Sequence, residues 1–262
     1  MIYLMKHPYE NEFYESRQSG SYRSAKIIVP LLLNLISPKS VIDIGCGVGA
    51  WLSVFKEQGI EDILGIDGPW VNKKLLMIPT EKFISKDMEK SIELNREYDL
   101  VISLEVAEHI RPENASRFVK SLVDLGPVVL FSAAIPLQIG KHHVNEQWPD
   151  YWAQHFSNHG YDVIDPIRKL IWQNDDVEYW YAQNILIFAR KEYIKMHPVL
   201  DREMKKTTIS QLSLVHPKMY LLNSAPIRIL VKIPVLNSIF LNIVTGRAIR
   251  NLIRKWFLKI NK

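Results

Sequence analysis

Hydrophobic positions along the chain fall in short runs separated by mixed polar segments. "SVIDIG" (40–45), "DILGID" (62–67), "YDLVISL" (98–104), "PVVLFSAA" (127–134) and "NILIFAR" (184–190) are short, rich in Val, Ile, Leu and Phe, and read as buried strands. "KFIS" (82–85) and "YDVI" (161–164) are weaker strands of the same kind. Between them apolar residues recur at helical spacing, as in "ASRFVKSLVDL" (115–125) and "WPDYWAQHFSNHG" (148–160), the latter closing on Gly160. A further helix is predicted over "SAKIIVPLLLNLI" (24–36), with Ser24 as N-cap and Pro30 in its early part. Residues 1–24 are polar and rich in Tyr and Ser. Strands alternating with helices predict an α/β fold whose mostly parallel sheet is covered on both faces.

After Arg190 the pattern changes. "KEYIKMHPVLDREMKKTT" reads as a polar connection. Residues 226–244 are apolar but interrupted by Lys232, Pro234, Asn237 and Asn242, so no spanning helix is predicted there. Residues 246–262 form a basic amphipathic helix, with Ile249, Leu252, Ile253, Trp256, Phe257 and Ile260 near one face. Charge follows this division. Residues 190–262 hold 15 Lys/Arg against 3 Asp/Glu, and the remainder holds 18 against 25, so the net +5 conceals a basic tail on an acidic body.

A chain of 262 residues accommodates one large α/β domain, or one domain plus an appendage. Its 47% apolar and 23% charged residues exclude a disordered or fibrous class. The single cysteine, Cys46, excludes an internal disulfide and suits a reducing compartment. "MIYLMKHPYENEF" shows no long apolar segment, so neither signal nor transit peptide is predicted and a cytoplasmic location is expected.

Candidate chemistry begins at "SVIDIGCGVGAWL". A strand runs directly into Gly45, Gly47 and Gly49, where a tight turn lets backbone approach a ligand at the start of a helix. Asp67 ends the second strand, where an acid can accept hydrogen bonds from both ribose hydroxyls of a nucleoside. The loop lacks the G-x-G-x-x-G spacing that packs a pyrophosphate, so a nucleoside without one fits better.

Taken in order, "VIDIGCGVGAWL", "GIDG", "SKDMEK" and "YDLVISLEVAEHI" resemble the successive motifs of class I S-adenosylmethionine-dependent methyltransferases over about residues 38–190. The resemblance implies a Rossmann-like, doubly wound, seven-stranded sheet with an antiparallel edge strand. It implies that Asp43, Gly45, Cys46 and Gly47 meet the methionine part of S-adenosylmethionine, and that Asp67 and Gly68 hold the ribose. Asp87 and Met88 would lie beside the adenine, and Leu104 and Glu105 would border the methyl-transfer site. The expected organisation is an N-terminal segment and helix covering the cofactor site (1–37), a methyltransferase core (38–192), and a basic, mostly helical appendage (193–262).

Glu105, Glu108 and His109 stand at i, i+3 and i+4 where the fourth strand is expected to roll into a helix, which would place them on one face. A divalent cation, Mg²⁺ or Mn²⁺, would join two carboxylates and an imidazole there. The later loop "IPLQIGKHHVNEQWPDYW" offers His142 and His143 at the same sheet edge. An E-x-x-E-H set with a histidine from this loop resembles the metal site of plant-type small-RNA 2′-O-methyltransferases, and ubiquinone-pathway O-methyltransferases show related residues. That resemblance implies Glu105, Glu108, His109 and His143 as ligands, with His143 preferred to His142. Alternatively His143, with Glu108 and His109, acts as an acid–base group toward the acceptor hydroxyl. Glu108 can equally cap helix N–H groups while His109 orients the loop.

In the same loop Asn145, Glu146 and Gln147 can read hydroxyls, and Trp148, Tyr151 and Trp152 can stack on a sugar ring; the plainer reading starts a helix at Pro149 and buries Trp152. Arg168 and Lys169 can meet a phosphate or form solvated surface. The loop and "WYAQNILIF" resemble bacterial methyltransferases that accompany polysaccharide-building enzymes, which implies a saccharide or other small polyhydroxylated acceptor. An RNA 2′-hydroxyl, or a non-catalytic scaffold recruiting partners through its tail, are the alternatives. Residues 226–262 are expected to touch the inner face of the cytoplasmic membrane or to pack in an oligomer. Nucleic acid is not expected there, because no binding motif is present.

Overall fold

The computed structural model describes residues 11–138 and 140–231, with side chains over 19–138 and 140–224. The chain divides into two compact units, Met1–His216 and Pro217–Lys262. The first opens with α1 (Asn11–Leu33), which begins well before Ser24. Ser24 is therefore no N-cap. Its hydroxyl donates to Gly20 O at 2.8 Å and accepts from Glu178 N at 3.0 Å. With no orphan N–H to cap, a helical serine bonds back to the carbonyl four residues earlier. Pro30 lies inside the same helix.

All seven predicted runs are strands: β1 (Ser40–Ile44), β2 (Asp62–Asp67), β3 (Phe83–Ser85), β4 (Leu100–Leu104), β5 (Val128–Ser132), β6 (Tyr161–Ile164) and β7 (Leu186–Arg190). They form one sheet in the order β3-β2-β1-β4-β5-β7-β6. Pairing is parallel from β3 through β5, whereas β7 is antiparallel to both β5 and β6. The reversed strand thus stands one place in from the edge, and β6 completes an antiparallel edge pair.

Residues alternate between two cores, as a sheet covered on both faces requires. Val41, Leu100, Ile102, Val128 and Leu130 face the side of α1 and α2 (Ala50–Glu57). Ile42, Ile44, Val101, Val129 and Phe131 face α3 (Ala115–Leu125) and α4 (Pro149–Ser157). Phe131 contacts the rings of Trp152, Phe156 and Phe188 at centroid distances of 5.5, 5.3 and 5.8 Å. Each such buried side chain contributes about 1.5–3 kcal/mol of transfer free energy.

Between β6 and β7 lie α5 (Arg168–Ile171) and α6 (Tyr179–Asn184). Arg168 is neither solvated nor available to a phosphate: it is 1% exposed. Its guanidinium binds Asp165 through Nε (3.0 Å) and Nη2 (2.6 Å), and Nη1 donates to the carbonyls of Gln183 (2.9 Å) and Leu212 (2.7 Å). A planar fork with five donors is suited to clamping three segments at once. After β7 come α7 (Lys191–Met196) and α8 (Pro198–Lys206), where Ile194 and Leu200 are buried, as is Leu212 beyond them. Residues 193–216, expected to open the appendage, fall in the first unit.

The second unit contains α9 (Pro217–Val231). The expected basic helix at 246–262, and most of 226–244, lie outside the described residues. Among the described residues no helix is long and apolar enough to cross a membrane.

Candidate active site

The parallel strands bring the ends of β1, β2, β4 and β5 to one sheet edge, where ligands bind in open α/β folds. There β1 enters the glycine loop. Gly45, Gly47 and Gly49 have φ of 87°, 55° and 84°, all in the left-handed region. A Cβ on Gly45 would fall 2.2 Å from Val106, while one on Gly47 would meet nothing within 4 Å. Gly45 thus permits close packing, and Gly47 leaves space beside the backbone. Asp67, at the end of β2, ties this loop down: Oδ2 accepts from Gly47 N at 2.7 Å and Oδ1 from Gly68 N at 2.6 Å.

A cavity of about 390 Å³ opens at this edge. Nine of the ten residues expected to meet the cofactor line it: Asp43, Gly45, Cys46, Gly47, Asp67, Asp87, Met88, Leu104 and Glu105. Gly68 does not, because the Trp70 ring covers it, 2.2 Å from where a Cβ would stand. Burial pushes the Asp43 carboxyl well above the usual carboxylate range, and the neighbouring Asp67 adds to this. Burial also raises Asp67, opposed by hydrogen bonds from Gly68, Gly47 and Trp70. Two buried acids at the floor of a cavity fit a ligand that carries an ammonium and vicinal hydroxyls, as S-adenosylmethionine does. The Cys46 thiol is raised by burial and then by Asp43 and Asp67, so it stays protonated and is no nucleophile.

Several lining residues were not named singly from the sequence, although 1–37 was expected over the cofactor site and "WYAQNILIF" carries a resemblance. Ser21 of α1 and Trp180 and Tyr181 of α6 close the cavity, and the Tyr181 hydroxyl hydrogen-bonds Ser21 Oγ at 3.0 Å across 160 positions. Tyr181 also packs edge-on against Trp51 at 5.2 Å.

The segment after β4 departs from expectation. The chain does not roll into an α-helix. Glu105 takes φ 56°, and a short 3₁₀ turn, Ala107–His109, follows. The Glu105 carboxylate accepts from Gln138 Nε2 (2.7 Å) and Asn184 Nδ2 (3.1 Å), and its amide donates to Ser132 O at 3.0 Å. Asn184 and Gln183 also donate to Gln138 Oε1, at 2.8 and 3.0 Å. Burial raises the Glu105 carboxyl, opposed by bonds from Asn184, Ser132 and Gln138. This amide clamp sets Glu105 apart from the group it was expected to join.

That group consists of Glu108, His109 and His143, whose ligand atoms lie within 4.8 Å of one another. Three of the four expected ligands are thus together and Glu105 is not among them. The His109 and His143 rings meet edge-on at 4.9 Å. His143 Nε2 is 3.9 Å from Glu108 Oε1. Backbone bonds zip the later loop onto the 3₁₀ turn: Val144 N and Asn145 N donate to Glu108 O at 2.9 and 3.0 Å. His142, at φ 62°, is outside the group; its carbonyl lies 3.3 Å from His109 Nδ1.

The polar loop residues are engaged with one another. Glu146 Oε1 meets His143 Nδ1 at 2.8 Å, Glu146 Oε2 accepts from Leu137 N at 2.9 Å, and Gln147 Nε2 donates to Asn145 Oδ1 at 3.0 Å. Trp152 is buried in the core and offers no sugar platform, whereas Trp148 is 39% exposed.

Sheet order, the glycine loop and the buried acid that ends β2 are those of a class I S-adenosylmethionine-dependent methyltransferase. The chain belongs to the methyltransferase domain family, whose model matches residues 14–177. Among solved structures it is similar to an O-methyltransferase family protein from Burkholderia thailandensis, at 13% identity and TM-score 0.51, covering 70% of this chain and 61% of that one. It is similar too to DesVI of Streptomyces venezuelae, at 14% identity and TM-score 0.50, covering 69% of this chain and 96% of that one. These likenesses concern the fold. No curated protein matches the chain in sequence.

Proposed function

We propose that the protein transfers the methyl group of S-adenosylmethionine to a hydroxyl of a small polyhydroxylated acceptor, a saccharide being the leading class, with a divalent cation held by Glu108, His109 and His143. The observation that carries this reading is that ligand group, placed at the carboxyl edge with His109 also lining the cofactor cavity. Asp43 would face the cofactor ammonium and Asp67 its ribose. The acceptor oxygen gains the methyl and loses its proton, the sulfur–methyl bond breaks, and S-adenosylhomocysteine leaves.

A cation bound by the group would lower the acceptor hydroxyl's pKa and hold it for in-line attack. One carboxylate with two imidazoles, rather than two carboxylates with one, favours Mn²⁺ over Mg²⁺. His143, backed by Glu146, has the carboxylate–histidine arrangement common behind metal ligands. Glu105 serves the cofactor wall.

The test is calorimetric titration of Mn²⁺ and Mg²⁺ into metal-stripped protein saturated with S-adenosylhomocysteine, with His143→Ala beside it. The same preparation is assayed for transfer of labelled methyl to a panel of sugars, catechols and short RNA. Mn²⁺ binding that His143→Ala abolishes, with transfer to a sugar, is expected. Absence of Mn²⁺ binding would overturn the metal, and transfer to RNA alone would overturn the acceptor class.

A further inference from the structure

The carboxylate of Glu146 spans a turn of the loop that carries His143. One oxygen meets His143 Nδ1 at 2.8 Å, and the other accepts from Leu137 N at 2.9 Å. Leu137 has φ 70°, a left-handed position that a leucine rarely adopts without support. The same loop lays the His143 ring against Gly140, where an added Cβ would come within 2.0 Å of Nε2. Glu146 is thus bonded both to the residue that turns the loop and to the ring that the loop presents.

A carboxylate only accepts hydrogen bonds. The nitrogen of His143 that meets it therefore carries the ring proton. In the neutral ring this leaves Nε2 with its lone pair, and Nε2 is the atom 3.9 Å from Glu108 Oε1. His109 is set the same way by a different device: its Nδ1 faces the carbonyl of His142 at 3.3 Å, and a carbonyl also only accepts. Both imidazoles are thereby turned to present Nε2. Glu146 does not line the cofactor cavity, so this role is separable from cofactor binding.

We infer that Glu146 is the positioning residue of His143: it selects the Nδ1–H tautomer and ties the ring to Leu137 N so that Nε2 faces Glu108. The inference rests on the proposed role of that group, yet its first readout is independent of any cation. Long-range ¹⁵N NMR of the metal-free protein, at a pH where the ring is neutral, should show His143 in the Nδ1–H form. Glu146→Ala should move it toward the Nε2–H form, and Glu146→Gln, which keeps one acceptor oxygen, should fall between. Affinity for S-adenosylhomocysteine should stay within about twofold in both variants, which shows that the fold is kept. Mn²⁺ affinity should fall about 10- to 100-fold in Glu146→Ala, the usual cost of losing a carboxylate behind a histidine ligand. In His143→Ala/Glu146→Ala the second change should cost nothing more. Wild-type His143 found in the neutral Nε2–H form would overturn the inference, as would unchanged Mn²⁺ affinity in a Glu146→Ala variant of a protein that binds Mn²⁺ through His143. Wild type that binds no Mn²⁺ but shows the Nδ1–H form would sink the metal reading and leave the positioning of His143 supported.

Discussion

Asp43→Asn should make the ligand-free protein more stable and the cofactor bind more weakly. Asp43 is 3% exposed, and burial followed by the charge of Asp67 raises its carboxyl far above the ordinary value of about 3.9. A raised native pKa contributes stability that is complete below the unfolded pKa and is lost as pH climbs toward the native one. Across that window the wild type loses about 1.4 kcal/mol for each pH unit. The neutral, nearly isosteric Asn removes that loss, so the variant should melt above wild type at pH 7.5, with the gap closing as pH falls toward 4. Cofactor binding should change in the opposite sense. A hydrogen bond to a charged partner is worth about 1.5–3 kcal/mol, so losing the proposed contact with the cofactor ammonium should weaken S-adenosylhomocysteine about 10- to 150-fold. Thermal melts across pH and calorimetric titration measure the two effects. A variant that melts lower than wild type at pH 7.5 and binds S-adenosylhomocysteine equally well would refute the reasoning.

Gly47→Ala places a methyl into open space at φ 55°; it should cost about 1–2 kcal/mol in backbone strain and further weaken S-adenosylhomocysteine, and unchanged affinity by calorimetry would count against the loop as a cofactor cradle. Arg168→Met strips half-buried Asp165 and two carbonyls of their buried donor; urea unfolding should show a loss of about 3 kcal/mol, and a loss near zero would show that the clamp is dispensable. Glu105→Gln gives the amides of Gln138 and Asn184 one oxygen and one NH₂ to face; stability should drop by about 1–3 kcal/mol while Mn²⁺ affinity stays as in wild type, and a large loss of that affinity would return Glu105 to the ligand set.

What could be read from the sequence depended on how local its cause was. Strands buried on both faces carry near-continuous apolar runs, so β1, β4 and β5 announce themselves, while the four residues of β6 between Gly160 and Asp165 give a weaker signal. The glycine loop and Asp67 are adjacent strand ends whose chemistry is written in consecutive residues. Ser24 misled because its hydroxyl is satisfied by Gly20 inside a helix that begins well before it, and an N-cap is recognisable only if the helix starts there. Ser21 and Tyr181, Arg168 and Leu212 meet across long separations, and nothing near either partner signals the contact.

The E-x-x-E-H spacing shows how one dihedral decides between two readings. Counting i, i+3 and i+4 onto one face assumes that helical geometry begins at Glu105. Glu105 instead adopts φ 56°, and only a three-residue 3₁₀ turn follows it. Its carboxylate is then met by Gln138 and Asn184, 33 and 79 positions away, which the local spacing cannot report. Beyond the turn, Glu108 and His109 are joined by His143 because the later loop is bonded to Glu108 O through two backbone amides. The Glu105 carboxylate is already bonded by two amides, whereas the Glu108 carboxylate stands beside two imidazoles. The motif therefore splits its acids: Glu105 lines the cavity at the end of β4, and Glu108 sits with the two histidines.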